Sequence, residues 1–275
     1  MARPVLKWVG GKRRLIEQIV NLFPENYRER AYHEPFFGGG ALFFHLEPRS
    51  GSINDVNPRL INFYHVLKDN PGELIEIASR YVYDKDEYYG IRTRFNEEHL
   101  DGVEEAAILL YLNKTGYNGL YRVNSKGKYN VPFGRYKNPK IVDVDRIQAA
   151  SRLLKNIIIS SDRFYSVKEH AKLGDIVYFD PPYLPISETS DFTAYSKSGF
   201  GYEDHELLRK TCIELHDRGV LFVQSNSYVE PIIDLYREVD EFRLEKVQMN
   251  RAINSKATQR GEVNEILITN IPKKK

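Results

Sequence analysis

One cysteine in 275 residues, Cys212, excludes an internal disulfide, and no Cys/His cluster has the spacing of a zinc site. Within the run Leu207-Leu208-Arg209-Lys210-Thr211-Cys212-Ile213-Glu214-Leu215 that thiol reads as a small core residue, not a nucleophile. No stretch is long or apolar enough to span a bilayer, and the amino terminus lacks the apolar block of a secretory signal. A cytoplasmic protein without a membrane partner is therefore expected. Charge of one sign is scarce too: 40 basic residues against 38 acidic leave +2, which does not by itself announce a polyanion as partner. A Walker loop is also missing, because Gly10-Gly11-Lys12 lacks the longer glycine spacing and the Lys-Ser/Thr ending. That tripeptide precedes an amphipathic run, Leu15, Ile16, Ile19, Val20, Leu22 and Phe23, and is a weak signal for an anionic group at a helix start.

Charge that is balanced overall is unevenly placed. Between Asn113 and Lys140 the basic residues are Lys114, Arg122, Lys126, Lys128, Arg135, Lys137 and Lys140, with no acidic residue among them. They are interleaved with Tyr117, Tyr121, Tyr129, Phe133 and Tyr136, the combination that phosphate neutralisation plus base contact or stacking requires. A solvated basic loop is the plainer reading of the same residues.

Three stretches carry chemistry. Asp180-Pro181-Pro182-Tyr183 follows the apolar run Ile176, Val177, Tyr178, Phe179, which reads as a short buried strand. The prolines forbid its continuation, so a carboxylate and a ring are displayed at its carboxyl edge, where open α/β sheets bind ligands. Tyr32-His33-Glu34-Pro35-Phe36-Phe37-Gly38-Gly39-Gly40-Ala41-Leu42 reads as a strand end turning through glycines into a helix, and Asn54-Asp55-Val56-Asn57 places an acid after the next strand. Glycines that admit a ligand to the backbone, with a later acid for ribose hydroxyls, suit a nucleoside. The glycine spacing is not the dinucleotide fingerprint, so S-adenosylmethionine, which has a ribose but no pyrophosphate, fits better than NAD.

From Arg59 to about Ile157 the pattern becomes helical, with apolar spacing at Leu60 to Leu67, Leu74 to Ala78, Glu104 to Leu112 and Val144 to Leu154. Strands resume at Ile157-Ile158-Ile159, Ile176 to Phe179, Val220 to Val223 and Glu265 to Ile268, alternating with helical runs such as Asp204 to Leu215. The fold class predicted is α/β, a Rossmann-like sandwich with an inserted, mainly helical domain carrying a loop or β-hairpin. The expected domains are 1–58 with 157–275 for catalysis, and 59–156 for target recognition.

Lys7-Trp8-Val9-Gly10-Gly11-Lys12, Glu34 to Gly40, Asn54 to Asn57, Tyr117-Asn118-Gly119-Leu120-Tyr121-Arg122-Val123-Asn124, Asn130 to Tyr136 and Asp180 to Tyr183 occur in one order over nearly the whole chain. In that order they resemble the Dam-type DNA adenine-N6 methyltransferases, the D12 class or alpha group. The resemblance implies a site-specific, adenine-specific DNA methyltransferase that acts on a flipped adenine in double-stranded DNA, within GATC, and converts S-adenosylmethionine to S-adenosylhomocysteine without a metal. Asp180 and the Pro181 carbonyl would accept the two N6 hydrogens, N6 would take the methyl directly, and Tyr183, beside Pro182, would stack on the base. Trp8 and Lys12 match contacts to the methionine part of the cofactor. Glu34, Pro35, Phe36, Gly38 and Gly40 belong to the cleft motif, Asp55 matches the ribose ligand, and Asp162 with Phe164 matches the adenine contact. At that last place Arg163 separates acid from ring, a departure from the family pattern. Lys7, Asn118, Leu120 and Arg122 match base-reading positions, with Asn124 in the same segment; Tyr136 matches an aromatic near the flipped adenine, flanked by Arg135 and Lys137 as phosphate contacts. Ser225-Asn226-Ser227 is expected as an edge turn, and Arg251 to Arg260 resembles a basic loop near the target strand. A monomer, or at most a weak dimer, is expected, and a cognate restriction endonuclease is a partner the resemblance admits. A DNA-binding module that has lost catalysis and an RNA or protein-amide methyltransferase using the same core are the competing readings; intact Asp180 and Tyr183 argue against the first, and the Asn118 to Tyr136 segment against the second.

Overall fold

The computed structural model describes residues 2–10, 15–184, 199–250 and 262–273. Among them the helices are α1 (Ile16–Leu22), α2 (Ala41–Leu46), α3 (Pro58–Asp69), α4 (Pro71–Ala78), α5 (Lys85–Glu97), α6 (Gly102–Thr115), α7 (Val144–Leu154), α8 (Val167–His170), α9 (Tyr202–Asp217) and α10 (Glu230–Arg237). The strands are β1 (Tyr32–Glu34), β2 (Gly51–Asn54), β3 (Ile157–Ser160), β4 (Ile176–Phe179), β5 (Leu221–Ser227), β6 (Arg243–Asn250) and β7 (Glu262–Thr269). They form a seven-stranded mixed sheet in the order β3-β2-β1-β4-β5-β7-β6. No helix of the described residues is long and apolar enough to cross a membrane.

Packing divides the chain into two compact units, Met1–Arg13 with Phe37–Arg163 and Arg14–Phe36 with Phe164–Lys275. This division by packing does not decide how roles are divided along the chain.

In the second unit every residue of β4 is buried, as expected of a strand with parallel neighbours on both sides. β4 pairs with β1 through Tyr32 opposite Ile176, and with β5 through Phe179 opposite Gln224. That second register brings Asp180, one residue past β4, level with Ser225. Alternation then sends Val177 and Phe179 into a core with Phe222, Leu208, Cys212, Leu215, Ile232, Tyr236, Ile266 and Ile268. Cys212 is fully buried there, as its apolar surroundings in the sequence predict. β7 runs antiparallel to β5 with Glu265 opposite Ser227. Since β5 extends to Ser227, Ser225-Asn226-Ser227 is the end of a strand and not a turn; all three side chains are buried.

In the first unit β2 and β3 are parallel, Gly51 opposite Ile157 through Asn54 opposite Ser160. α3 begins where Asn57 accepts the amides of Arg59 and Leu60, with Pro58 in the first helical position, where its missing donor costs nothing. α6 is buried from Ala106 through Thr115, so it is the axis against which α3, α4 and α5 pack. α5, α10 and β6 were not foreseen. α5 buries only Tyr88, Ile91 and Phe95, too sparse a stripe among charged residues to show as a period, and it is started by Asp84 accepting the amides of Asp86 and Glu87.

Candidate active site and DNA-recognition segment

In the first unit, the turn after β1 is held by main-chain bonds from Phe37 to Asn54 at 2.9 Å and from Gly40 to Phe37 at 2.8 Å. Phe37 anchors it with its ring among Phe43, Phe44 and Tyr64, and the Tyr64 hydroxyl donates to the Gly38 carbonyl at 3.0 Å. Gly38 has φ of 50°, a left-handed conformation that favours glycine. Asp55, one residue past β2, closes the turn: Oδ2 accepts the Gly38 amide at 2.9 Å and Oδ1 the Asn57 amide at 2.9 Å. Burial raises its carboxyl above the ordinary value, opposed by those two amides. Each carboxylate oxygen has acceptor capacity beyond one amide, so the residue can also receive hydroxyls. The fit to a nucleoside is thus a matter of donor set: a close-approach turn and an oriented acid.

Trp8 lies on the same turn. A methyl group at Gly38 would stand 2.8 Å from Trp8 Cδ1, and one at Gly39 2.8 Å from Trp8 Cβ, so the indole occupies the space the glycines leave. The indole also stacks on Tyr121 with centroids 5.3 Å apart and 21° between planes. Asp162, past β3, is fixed by its main chain, its amide donating to Asn54 Oδ1 at 2.7 Å and its carbonyl accepting Asn54 Nδ2 at 2.9 Å; its side chain is exposed. Lys12 falls outside the described residues, as do the loop after Leu184 and residues 251–261.

In the second unit, the Asp180 carboxylate Oδ1 accepts the Ser225 hydroxyl at 2.9 Å, and Ser225 Oγ lies 3.0 Å from the Tyr178 hydroxyl. Pro181 is buried and Pro182 exposed. The Tyr183 hydroxyl donates to Glu265 Oε2 at 2.6 Å. Desolvation, then the Asp180 charge, push the Tyr183 phenol far above its usual range, and the same two causes act on Tyr178, so both stay neutral. Glu34, buried, accepts the Tyr32 hydroxyl at 2.8 Å. After Pro35 the Phe36 ring stacks on Phe164 at 5.3 Å and meets Phe200 and Phe179 edge-on. The sequence marks Ser225 only as part of an expected edge turn and Glu265 only as the start of a strand; strand register reveals what each one touches.

The candidate recognition segment, Asn118 to Tyr136, belongs to the first unit. α6 runs out at Gly116 into a single 3-10 turn, Tyr117–Gly119, in which Asn118 is exposed and left-handed with φ of 53°. A two-bridge hairpin follows, pairing Gly116 with Phe133 and Val123 with Tyr129. Asn124 holds its tip, accepting the amides of Lys126 and Lys128 at 2.9 and 3.1 Å. Leu120 is half-buried; Arg122 is exposed, with Nε donating to Asn130 Oδ1 at 2.7 Å. Arg135 and Lys137 are exposed on either side of Tyr136. The Tyr136 ring turns inward, its hydroxyl donating to the Gly116 carbonyl at 3.0 Å and Lys7 Nζ standing 4.5 Å above the ring centre. The interleaved aromatics therefore build the hairpin: Tyr129 is buried, Phe133 stacks on Tyr83 and Tyr121 on Trp8, and Tyr117 alone among the five is exposed.

Among the described residues no group of His, Cys, Asp and Glu has the arrangement of a metal site. A mixed seven-stranded α/β sheet with an acid past a central parallel strand is the architecture of an S-adenosylmethionine-dependent methyltransferase. The family profile described as D12 class N6 adenine-specific DNA methyltransferase matches residues 8–253, and the chain belongs to that family. Type II methyltransferase M1.LlaDCHI of Lactococcus lactis subsp. cremoris is 45% identical over 275 residues, covering 98% of this chain and 95% of that one. Type II methyltransferase M.MjaIII of Methanocaldococcus jannaschii is 40% identical over 288 residues (98% and 99% covered), and DNA adenine methylase of Escherichia coli K12 is 32% identical over 269 residues (96% and 94%). Membership implies S-adenosylmethionine as methyl donor and DNA as substrate.

Proposed function

We propose that the protein methylates N6 of an adenine flipped out of duplex DNA, within GATC, using Asp180 and the Pro181 carbonyl as acceptors for the N6 hydrogens and the Tyr183 ring as the stacking face. The observation that carries this reading is the fixed pair at the end of β4: a carboxylate oriented by Ser225 at 2.9 Å and a tyrosine tethered to Glu265 at 2.6 Å. The N6 lone pair is delocalised into the ring, so the amine is a poor nucleophile. Two acceptors set to receive its hydrogens favour the tetrahedral-like geometry in which that pair becomes available. S-adenosylmethionine supplies an electrophilic methyl group on a sulfonium. Trp8, the turn at Gly38 and Asp55 hold the donor on this reading, Asp55 by the ribose hydroxyls, while Phe36 and Phe164 offer aromatic surface to its base. Arg122 suits guanine through paired bonds to O6 and N7, Leu120 suits the thymine methyl, and Lys7 and Asn118 supply further polar contacts; Arg135 and Lys137 meet phosphate.

The relatives named Type II methyltransferases and DNA adenine methylase support adenine methylation of DNA, while GATC as the target rests on the match of Lys7, Asn118, Leu120 and Arg122 to base-reading positions. The test is labelled-methyl transfer to a panel of duplexes with each position of GATC changed, run beside RNA and protein acceptors. Transfer confined to GATC duplexes is expected. Efficient transfer to a duplex lacking it refutes the target assignment, and binding without transfer refutes the enzyme.

A further inference from the structure

The side chain of Asn113, 2% exposed near the end of α6, bonds only to main chain. Its Oδ1 accepts the Lys7 amide at 2.9 Å, and its Nδ2 donates to the Lys7 carbonyl at 2.8 Å and to the Gly119 carbonyl at 3.0 Å. One carboxamide thus binds both main-chain groups of residue 7, as a neighbouring strand would, and ties that residue to the turn 117–119. The two chain segments also touch directly: a methyl group at Gly119, whose φ is 63°, would stand 2.5 Å from Lys7 Cδ and 2.7 Å from Lys7 Cβ. Lys114, the next residue of α6, donates from Nζ to the Val5 carbonyl and pins the same segment two residues earlier. On the far side of Lys7, Trp8 is wedged between the Gly38 turn and Tyr121. The dipeptide Lys7-Trp8 therefore has one residue locked into the recognition turn and the other into the glycine turn, and Asn113 is the group that fixes its place.

We propose that Asn113 is a positioning residue that sets sequence discrimination, by holding the base-reading turn and the cofactor-facing Trp8 in one register through Lys7. This rests on the reading of Asn118 to Arg122 as base contacts and of Trp8 as a cofactor contact. A ligand at either end then biases the same element, so cofactor affinity and preference for the cognate duplex are linked, and the linkage is reciprocal. The site demands asparagine, because it needs an acceptor and a donor pair on one short side chain. Aspartate keeps the shape but sets a carboxylate against two carbonyls.

The experiment compares wild type with Asn113→Asp, taking as cognate the duplex that wild type methylates best. Two ratios are measured: kcat/KM for the cognate duplex over one with a single base pair changed, and affinity for S-adenosylhomocysteine with the cognate duplex over that with a scrambled one. In wild type the second ratio is expected to be threefold or more. In the variant it falls to one, and the first ratio falls at least tenfold. A purely structural role for Asn113 lowers activity on every duplex alike and leaves both ratios unchanged, and that result overturns the proposal. Should Asn113→Asp fail to fold, Gly119→Ala pushes on Lys7 without altering the Asn113 side chain and must lower the same two ratios; unchanged ratios there overturn it equally. A wild type that methylates no duplex removes the functional reading and this proposal with it, whereas an active wild type with intact ratios in the variants removes this proposal alone.

Discussion

Replacing Gly38 by alanine tests whether the glycine turn and Trp8 form one cofactor-binding surface. The cost has two parts that the structure separates. At φ of 50° an alanine carries a left-handed penalty of roughly 1–2 kcal/mol. Its methyl would also stand 2.8 Å from Trp8 Cδ1 and 3.0 Å from Nε1. Ordinary contacts of this kind lie at about 3.5–4.0 Å, and forcing an extra carbon into such a place costs roughly 1–3 kcal/mol. Together these predict a loss of about 2–5 kcal/mol, unless the indole gives way. Gly39→Ala is the control: its methyl would meet Trp8 Cβ at 2.8 Å, but Gly39 has no positive φ. It carries only the contact part, so the two variants should differ by roughly 1–2 kcal/mol. Trp8 is the single tryptophan of the chain, so its emission reports on this place alone. Urea unfolding gives the stabilities, and quenching of that emission by S-adenosylhomocysteine gives the affinities. Both variants should shift the emission and weaken binding roughly tenfold or more, Gly38→Ala being the less stable. Wild-type emission and wild-type affinity in Gly38→Ala would show that Trp8 neither occupies that space nor serves the cofactor.

Asp180→Ala should bind DNA and cofactor as wild type does while transfer falls by about three orders of magnitude or more, and Ser225→Ala, which loses the bond orienting that carboxylate together with the contact to the Tyr178 hydroxyl, should slow single-turnover transfer roughly tenfold; full activity in Asp180→Ala refutes its role. Because the ionised Asp55 carboxylate is the form that accepts hydroxyls, S-adenosylhomocysteine affinity should fall as pH drops through a pKa raised above 3.8 by burial, and Asp55→Asn should flatten that dependence. The stability linkage of Asp55 has the opposite sign: the buried ionised form is penalised, so its contribution improves as pH falls through the raised pKa. For Lys114, burial and then the charges of Arg146 and Lys7 lower the ammonium from 10.5 to about 8. The folded chain releases that proton before the unfolded chain does, so stability from this group rises between about pH 8 and 10.5, by up to roughly 3 kcal/mol. Lys114→Met should lack the rise in urea unfolding at pH 7.5 and 10, and an identical rise in the variant would assign it to other groups.

What the sequence made legible is local. The proline-stopped strand before Asp180 and the glycines before α2 are written in consecutive residues, and the structure has β4 ending at Phe179 and α2 starting at Ala41. What it hid depends on pairing. Ser225 lies 45 residues from the carboxylate it orients, and Glu265 is 82 residues from Tyr183. Neither has a signature of its own, since a serine at a strand end and a glutamate in a β-run are ordinary residues until register brings them level. Asn113 is hidden for the same reason, 106 residues from Lys7. β6 was missed because Arg243, Glu245 and Lys246 mask the period of an edge strand, where charge is common. The basic hairpin was recognised by composition, but composition does not tell an aromatic that projects from one that packs, and most of its rings pack.

The sharper chemical question is what Asp180 does, and its surroundings restrict the answer. Its Oδ1 already receives the Ser225 hydroxyl, and the phenols of Tyr178 and Tyr183 are held neutral by burial. The Tyr183 hydroxyl donates its hydrogen bond to Glu265, which leaves the ring face as the surface it can offer a ligand. His205, whose Nδ1 is 3.3 Å from Asn226 Nδ2, is pushed down to about 4 by burial and carries no charge near neutral pH. Among the described residues, the carboxyl end of β4 thus carries an oriented carboxylate beside a tyrosine ring, and Tyr178, Tyr183 and His205 are all uncharged near neutral pH. The proposed role, polarising an amine through its hydrogens, asks for an oriented acceptor, and the register of β4 and β5 supplies one by setting Ser225 against Asp180.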